Sequence, residues 1–203
     1  MRRFDGKRLL MATHNAGKLE EMAALLNPYG VKLSSNADDG LPEPDETEDT
    51  FLGNALIKAQ AAVNATGLPA LADDSGIEID GLDGQPGVYT ADWAETPHGR
   101  DFVVAMTKAW DMLEARDAPA PRTARFCCTL VLAWPDDHFA SFDGRMEGQI
   151  VWPMRGDQGH GYDAIFMPDG YDITFGEMDL SEKNRISHRA IAVQKMIEGC
   201  FAR

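Results

Sequence analysis

The order of strand-like and helix-like segments constrains the fold of this chain more than any other feature of its sequence. In the first half, short apolar runs alternate with segments whose apolar residues recur at helical spacing. After the proline-rich break at 119–121, the strand-like segments 124–134 and 138–152 follow each other directly, with a turn at Pro135-Asp136-Asp137. This combination indicates an α/β fold with a mixed central sheet flanked by helices, rather than a purely parallel sheet.

Local signals place the individual elements. The first predicted strand covers 8–13 and leads through a short loop into a helix that begins near Lys18. The segment 68–76 is predicted to be a short buried strand that runs into an Asp pair. The remaining predictions are an acidic loop over 35–50, a helix from Thr50 to near Gly67, a strand edge with an irregular loop over 77–93, a helix over 101–116, and a final helix from about Ser187.

Composition and net charge argue against several classes of function. The chain has 203 residues, of which 44% are hydrophobic, and this suffices for one well-buried core. The net charge of −14 argues against binding to nucleic acid or to an anionic membrane, although a small anionic ligand can still use a local basic pocket. Cys127, Cys128 and Cys200 lack metal-ligand spacing, so we expect buried, reduced thiols. Without a signal-like or membrane-spanning apolar run, we expect a cytoplasmic protein.

The stretch "MATHNAGKLEEM" is a candidate phosphate-binding turn. A strand ends there and a helix begins, and the N-terminus of a helix presents unsatisfied N–H groups to anions. Thr13 and Asn15 can add hydrogen bonds, and Lys18 adds a positive charge. Taken alone, the stretch favours an ordinary strand-to-helix turn, because it matches neither the GxxxxGK[ST] nor the GxGxxG pattern.

Acidic residues form the second candidate group. Asp73 and Asp74 follow an apolar strand, where sheet proteins commonly place ligand contacts, and adjacent carboxylates repel each other unless a cation lies between them. One could hold a hard divalent cation while the other accepts a proton from water. The acids of the loop, Asp45, Glu46, Glu48 and Asp49, are for the most part expected to be solvated.

Two later stretches carry candidate ligand-binding residues. In "GDQGHGYDAIF", three glycines surround His160, Tyr162 and Asp163, which could stack on or hydrogen-bond to a flat ring, although a plain glycine-rich turn is equally compatible. In "SEKNRISHRAI", His188 and Arg189 open a helix, and cations at a helix N-terminus are unfavourable unless an anion or a carbonyl group binds there.

Together and in this order, these four stretches resemble the Ham1-like family of inosine/xanthosine triphosphate pyrophosphatases, and "GQPGVYTADWA" adds to the match. The resemblance runs nearly end to end and implies a single domain over 1–203, with two lobes and the active site in the cleft between them. It implies hydrolysis of ITP, dITP and XTP to the nucleoside monophosphate and pyrophosphate, with Mg²⁺ as cofactor. It also implies a homodimer; Trp93 and Trp152 could line its interface or could equally belong to the core.

The resemblance also assigns roles to residues. The phosphate-binding residues would be Thr13, His14, Asn15, Ala16, Gly17, Lys18 and Lys58, with Ser75 touching the substrate. Glu46 together with Asp73 or Asp74 would hold Mg²⁺, and Asp74 would be the catalytic proton acceptor. The residues around the base would be His160, Gly161, Tyr162, Asp163, Lys183, His188 and Arg189. Two residues depart from the common family pattern, His160 in place of Phe and Ala164 in place of Pro, and both bear on substrate preference rather than on reaction type.

Two other functions compete with this prediction. One is a different metal-dependent nucleotide phosphohydrolase that releases orthophosphate, which product analysis would distinguish. The other is a regulator that binds nucleotides without turning them over. Such a regulator would have no use for the Asp pair in "DDSG", so this stretch argues against it.

Overall fold

The computed structural model describes residues 2–201, which form two compact units. The first unit contains the residues up to 74, residues 128–143, and those from 191 onward. The second unit contains residues 75–127 and 144–190. No helix of the described residues is long and apolar enough to cross a membrane.

The first unit is built around a parallel strand arrangement with helices. Strand β1 pairs in parallel with β2 on one side and with β3 on the other. Asn15 caps α1, and Thr50 caps α2 by accepting a hydrogen bond from the Gly53 N–H. The elements that contribute to this unit are β1 Arg8–Met11, α1 Ala16–Leu26, β2 Lys32–Ser35, α2 Phe51–Thr66, the beginning of β3 Ala70–Ile79, the end of β7 Thr123–Ala133, the beginning of β8 Phe139–Ile150, and most of α5 His188–Met196.

The second unit contains mainly antiparallel pairs. The end of β3 pairs with β4, β5 pairs with β6, and β8 pairs with β9, all of them antiparallel. Its elements are β4 Pro86–Gly87, β5 Glu95–Thr96, β6 Gly99–Arg100, α3 Phe102–Ala115, β9 Phe166–Pro168, α4 Leu180–Ile186, and parts of β7 Thr123–Ala133 and β8 Phe139–Ile150.

The main sheet has seven strands in the order β2-β1-β3-β7-β8-β9, with β4 paired to β3 outside this path. Parallel and antiparallel pairs both occur, so the predicted α/β fold with a mixed sheet and flanking helices is confirmed. Consecutive strands β7 and β8 are neighbours in the sheet, as their succession in the sequence predicted.

Each unit buries its own apolar residues. In the first unit, small side chains of α2 pack against the sheet, because Ala55, Ala59 and Ala62 share a cluster with Leu10 and Ala72. A second cluster of that unit surrounds Met11, Met22 and Leu26. The core of the second unit combines aliphatic side chains with aromatic ones, among which Tyr162, Phe166 and Phe175 are fully buried. The three cysteines are free and buried, as predicted.

Some boundaries differ from the prediction. The strand expected to end near the Asp pair continues to Ile79, so Asp73 and Asp74 lie inside β3. The residues 77–79, which were predicted to begin a separate edge strand, belong to the same strand. The alternating sequence Ile77-Glu78-Ile79 fits this extension, because its two isoleucines are buried. Strand β1 ends at Met11, and the short β2 and α4 were not predicted, since four and seven residues give too weak a periodic signal.

Candidate active site

The loop between β1 and α1 holds the first group of predicted site residues. The Lys18 N–H donates to Asn15 Oδ1 at 3.1 Å, and the Asn15 N–H donates to Thr13 Oγ1 at 3.1 Å. Thr13 is buried, whereas His14, Asn15, Ala16 and Gly17 are exposed. The local side-chain bonds thus fix the turn and leave the first turn of an 11-residue helix open to an anion.

His14 connects this loop to the acidic segment that follows β2. Its Nε2 lies 2.8 Å from the carbonyl oxygen of Leu41, and its Nδ1 lies 3.9 Å from Glu43 Oε2. The imidazole therefore contacts the acidic segment.

The two carboxylates of β3 each contact a lysine from a helix of the same unit. Lys18 Nζ lies 2.8 Å from Asp73 Oδ2, and the Asp73 side chain is only 2% exposed. Lys58 Nζ lies 3.1 Å from Asp74 Oδ1 and 2.6 Å from Glu46 Oε1. The repulsion between adjacent aspartates is thus offset by ammonium groups in this structure.

Burial and charge perturb both partners of the Lys58–Asp74 pair. Burial raises the pKa of Asp74, and the negative charges of Glu46 and Asp73 raise it further, while the Lys58 ammonium opposes them in part. Burial alone would lower the pKa of Lys58, but the charges of Asp74 and Asp73 outweigh it, so the Lys58 pKa is raised overall. Asp74 is therefore a carboxylate of raised pKa beside a lysine whose ammonium form is stabilised.

Asn54 belongs to the same cluster and was missed in the sequence analysis. Its Nδ2 donates to Asp74 Oδ2 at 3.4 Å, and its Oδ1 accepts a hydrogen bond from the Glu48 N–H at 3.0 Å. Asn54 stands one helical turn before Lys58 on the buried face of α2, and this i, i+4 spacing was the available signal.

The second unit holds another buried pair of opposite charge. Asp163 accepts a hydrogen bond from the His160 N–H at 2.8 Å and a second one from Lys183 Nζ. The Lys183 ammonium also lies 5.4 Å from the centre of the Phe175 ring. A Cβ atom at Gly159 would lie 2.1 Å from Asp163 Oδ2, so only glycine allows the loop to approach this carboxylate so closely.

The other predicted residues of the second unit differ in exposure. His160 is exposed, Gly161 and Ser75 are half-buried, and Tyr162 is a core residue whose ring packs against Phe102. His188 stacks on Phe126 with the ring planes 13° apart, and Arg189 is buried beside it in the sequence. The structure thus groups Asp163 with His160 and Lys183, and substrate contacts of all these residues stay predictions.

Metal ligation by the acidic residues also stays a prediction. Among the side chains that the structure describes, no group of three or more His, Cys, Asp or Glu is arranged to hold a metal ion. Instead, Glu46 and Asp74 converge on Lys58, and Asp73 contacts Lys18.

Comparison with known proteins gives consistent results along the chain. The sequence model of the Ham1 family matches residues 9–199. A dITP/XTP pyrophosphatase of Ruegeria pomeroyi is 67% identical over 200 residues, which cover 98% of each chain. A dITP/XTP pyrophosphatase of Agrobacterium fabrum is 53% identical over 212 residues, covering 99% of each chain.

Solved structures agree with these sequence matches. The HAM1 protein from Coxiella burnetii superimposes with a TM-score of 0.89 at 36% identity, covering 96% of this chain and 98% of that one. A nucleoside-triphosphatase, dITP/XTP pyrophosphatase, from Mycobacterium abscessus gives a TM-score of 0.76 at 36% identity, covering 94% and 98%. On the family match, the sequence identities and the shared fold, the chain belongs to the Ham1 family.

Proposed function

We propose that this protein hydrolyses the non-standard purine nucleoside triphosphates dITP, ITP and XTP to the nucleoside monophosphate and pyrophosphate. The observation that carries the proposal is the buried Asp74, held between Lys58 and Asn54 in a chain of the Ham1 family. A carboxylate of raised pKa beside an ammonium group can take a proton from water and leave a positive charge nearby for phosphate. We propose that residues 1–203 act as one Ham1-like domain in the cytoplasm, as a homodimer.

Phosphate binding is assigned to the loop from Thr13 to Lys18 and to Lys58. The loop offers the N-terminus of α1 and two side-chain hydrogen-bonding groups, and Lys18 and Lys58 supply two ammonium groups. Both lysines contact carboxylates in the structure, so triphosphate oxygens would replace or share those contacts. Ser75, the neighbour of Asp74 on β3, is proposed to contact the substrate.

The donor set of the acidic residues suits Mg²⁺. Magnesium is bound by one or two carboxylates together with water and substrate phosphates, so a cage of three or more protein ligands is not required. Glu46 and Asp74 meet at one ammonium group, and Asp73 is adjacent in the strand. Glu46 together with Asp73 or Asp74 would hold the ion, which when bound would neutralise charge on the triphosphate.

In the proposed reaction, Asp74 accepts the proton of a water molecule whose oxygen attacks the α-phosphorus. The bond between the α-phosphorus and the bridging oxygen breaks, and pyrophosphate leaves with the bonding electron pair. Lys18 and Lys58 stabilise the negative charge that develops on the leaving group. One water is consumed, and its oxygen ends in the nucleoside monophosphate.

Recognition of the base is assigned to the second unit. His160, Gly161, Tyr162, Asp163, Lys183, His188 and Arg189 are the proposed base-binding residues. The Asp163–Lys183 contact fixes an N–H donor group, and donors favour a 6-oxo purine over an adenine amino group. Buried donors that meet an amino group stay unpaired, which penalises ATP.

A product assay tests the proposal. The protein is incubated with Mg²⁺ and with ITP, XTP, dITP, ATP or GTP, and pyrophosphate and orthophosphate are quantified separately. We expect pyrophosphate from ITP, dITP and XTP, little from ATP, and loss of activity in Asp74→Asn. Hydrolysis of ITP in ¹⁸O water should place the label in IMP. Orthophosphate as the direct product, or full activity of Asp74→Asn, would refute the proposed chemistry.

A further inference from the structure

We propose that Asn54 is a positioning residue that ties the acidic loop carrying Glu46 to the proposed base Asp74. The inference rests on the proposed function and adds a residue that does not itself contact the reacting atoms. It concerns the first unit alone, where Asn54, Glu48 and Asp74 all lie.

Both polar atoms of the Asn54 amide group form hydrogen bonds. Its Nδ2 donates to Asp74 Oδ2 at 3.4 Å, and its Oδ1 accepts from the backbone N–H of Glu48 at 3.0 Å. Asn54 is only 2% exposed, so water cannot readily replace either contact. A side chain that both donates and accepts at this position therefore links β3 with the loop that precedes α2.

The loop also packs tightly on the first turn of α2. A Cβ atom at Gly53 would lie 2.5 Å from Glu48 Cβ, a distance that atoms do not adopt without displacement. The absence of a side chain at Gly53 thus lets Glu48 approach the helix, and Asn54 then captures its N–H. Gly53 and Asn54, which are neighbours on α2, thus both determine where the loop lies at Glu48.

This point controls the position of Glu46. Glu48 is two residues after Glu46, and Glu46 contacts Lys58, which also contacts Asp74. Fixing the backbone at Glu48 therefore limits where the Glu46 carboxylate can lie relative to Asp74. Without the link, the side-chain contact that holds the loop beside Asp74 would be that of Glu46 with Lys58, and the Glu46 side chain is 36% exposed.

Two variants of Asn54 distinguish its hydrogen bond to Asp74 from its hydrogen bond to Glu48. Asn54→Ala removes both contacts, whereas Asn54→Asp keeps an oxygen that can accept the Glu48 N–H but loses the donor to Asp74. Asn64→Ala is the matched control, because Asn64 lies on the same helix and is exposed. For each protein, hydrogen exchange of the Glu48 amide is measured by NMR without nucleotide, and kcat and KM for ITP hydrolysis are measured with pyrophosphate as the product.

For Asn54→Ala, we expect Glu48 exchange to accelerate at least tenfold and kcat to fall about 10- to 100-fold, the range for a misplaced catalytic group. For Asn54→Asp, we expect exchange to stay slow while kcat falls, since a second carboxylate repels Asp74. The control should match the parent in both measurements. Unchanged kcat, or unchanged Glu48 exchange in Asn54→Ala, would overturn the inference.

If Asn54→Ala does not fold, Asn54→Asp decides, because it preserves the side-chain volume and parent-like kcat in that variant would overturn the inference. Failure of the proposed function is recognised separately, since the parent protein itself would then release no pyrophosphate. In that case the exchange data would still show whether Asn54 holds the loop.

Discussion

Replacement of Lys58 by Met should destabilise the protein in a way that depends on pH. Lys58 Nζ contacts two carboxylates, and the side chains of Lys58 and Asp74 are 7% and 9% exposed. Removing one member of a buried pair leaves an uncompensated charge and typically costs 3–5 kcal/mol. The Glu46 side chain is 36% exposed and can be solvated by water. We therefore expect the free energy of unfolding to fall by about 3 kcal/mol at pH 8, the low end of this range.

The dependence on pH follows from the carboxyl group left behind. Burial already raises the pKa of Asp74, and loss of Lys58 removes the charge that opposes this rise. The native variant therefore binds this proton more tightly than the native parent does, so its stability relative to the parent falls as the pH rises through the raised pKa of Asp74 in the parent and toward the still higher pKa in the variant. More of the Asp74 carboxyl group is protonated at pH 5 than at pH 8, so the cost of Lys58→Met is smaller at pH 5.

Calorimetry at pH 5 and pH 8 in a chelating buffer measures the melting temperatures of Lys58→Met and of the parent protein. For a chain of this length, about 3 kcal/mol corresponds to a melting temperature lower by about 6–12 °C at pH 8. Lys7→Met is the control, because Lys7 is exposed. In an Asp74→Asn background, Lys58→Met should cost much less, since the unpaired charge at position 74 is absent. Equal destabilisation at the two pH values, or the same cost in the Asp74→Asn background, would refute the reasoning.

Three further predictions concern other parts of the site. Lys18→Ala should raise KM for ITP about tenfold, because it removes a phosphate-binding charge, and initial-rate kinetics checks this. Arg189→Ala should reduce the ITP-over-ATP ratio of kcat/KM at least tenfold, and an unchanged ratio would contradict its role in base recognition. Gly159→Ala should lower the melting temperature and weaken the same preference, because its Cβ atom would lie 2.1 Å from Asp163 Oδ2 and the backbone φ is +74°. Gly170→Ala, with positive φ but nothing near its Cβ, is the matched control for the effect of strain alone.

Local sequence signals were sufficient for most helices and for the sheet type. Thr50 and Gly67 bound α2 as their capping preferences indicated, and Asn15 caps α1. Strand β3 was predicted too short, because the adjacent charged residues Asp73 and Asp74 interrupt the apolar pattern of a buried strand. In the structure, ammonium groups from two helices allow both carboxylates to stay inside a buried strand.

The contacts of the site were less predictable than its residues. Lys18 and Asp73 are 55 positions apart, and Asp163 and Lys183 are 20 apart, so no local periodicity reports that they meet. Asn54 was missed for a different reason. An Asn inside a helix usually reads as a weak helix former, and its function here comes from contacts with a strand and a loop.

The charges of the lysines and carboxylates in the first unit predict how added salt changes the rate at which a nucleotide binds. Glu46, Asp73 and Asp74 contribute three negative charges, while Lys18 and Lys58 contribute two positive ones, so the cluster has a net charge of −1 in a chain of net charge −14. A bare nucleotide therefore approaches against the field, in contrast to enzymes that steer anionic substrates with a basic surface. Added salt screens this repulsion, so the association rate of a nucleotide should increase with ionic strength instead of decreasing.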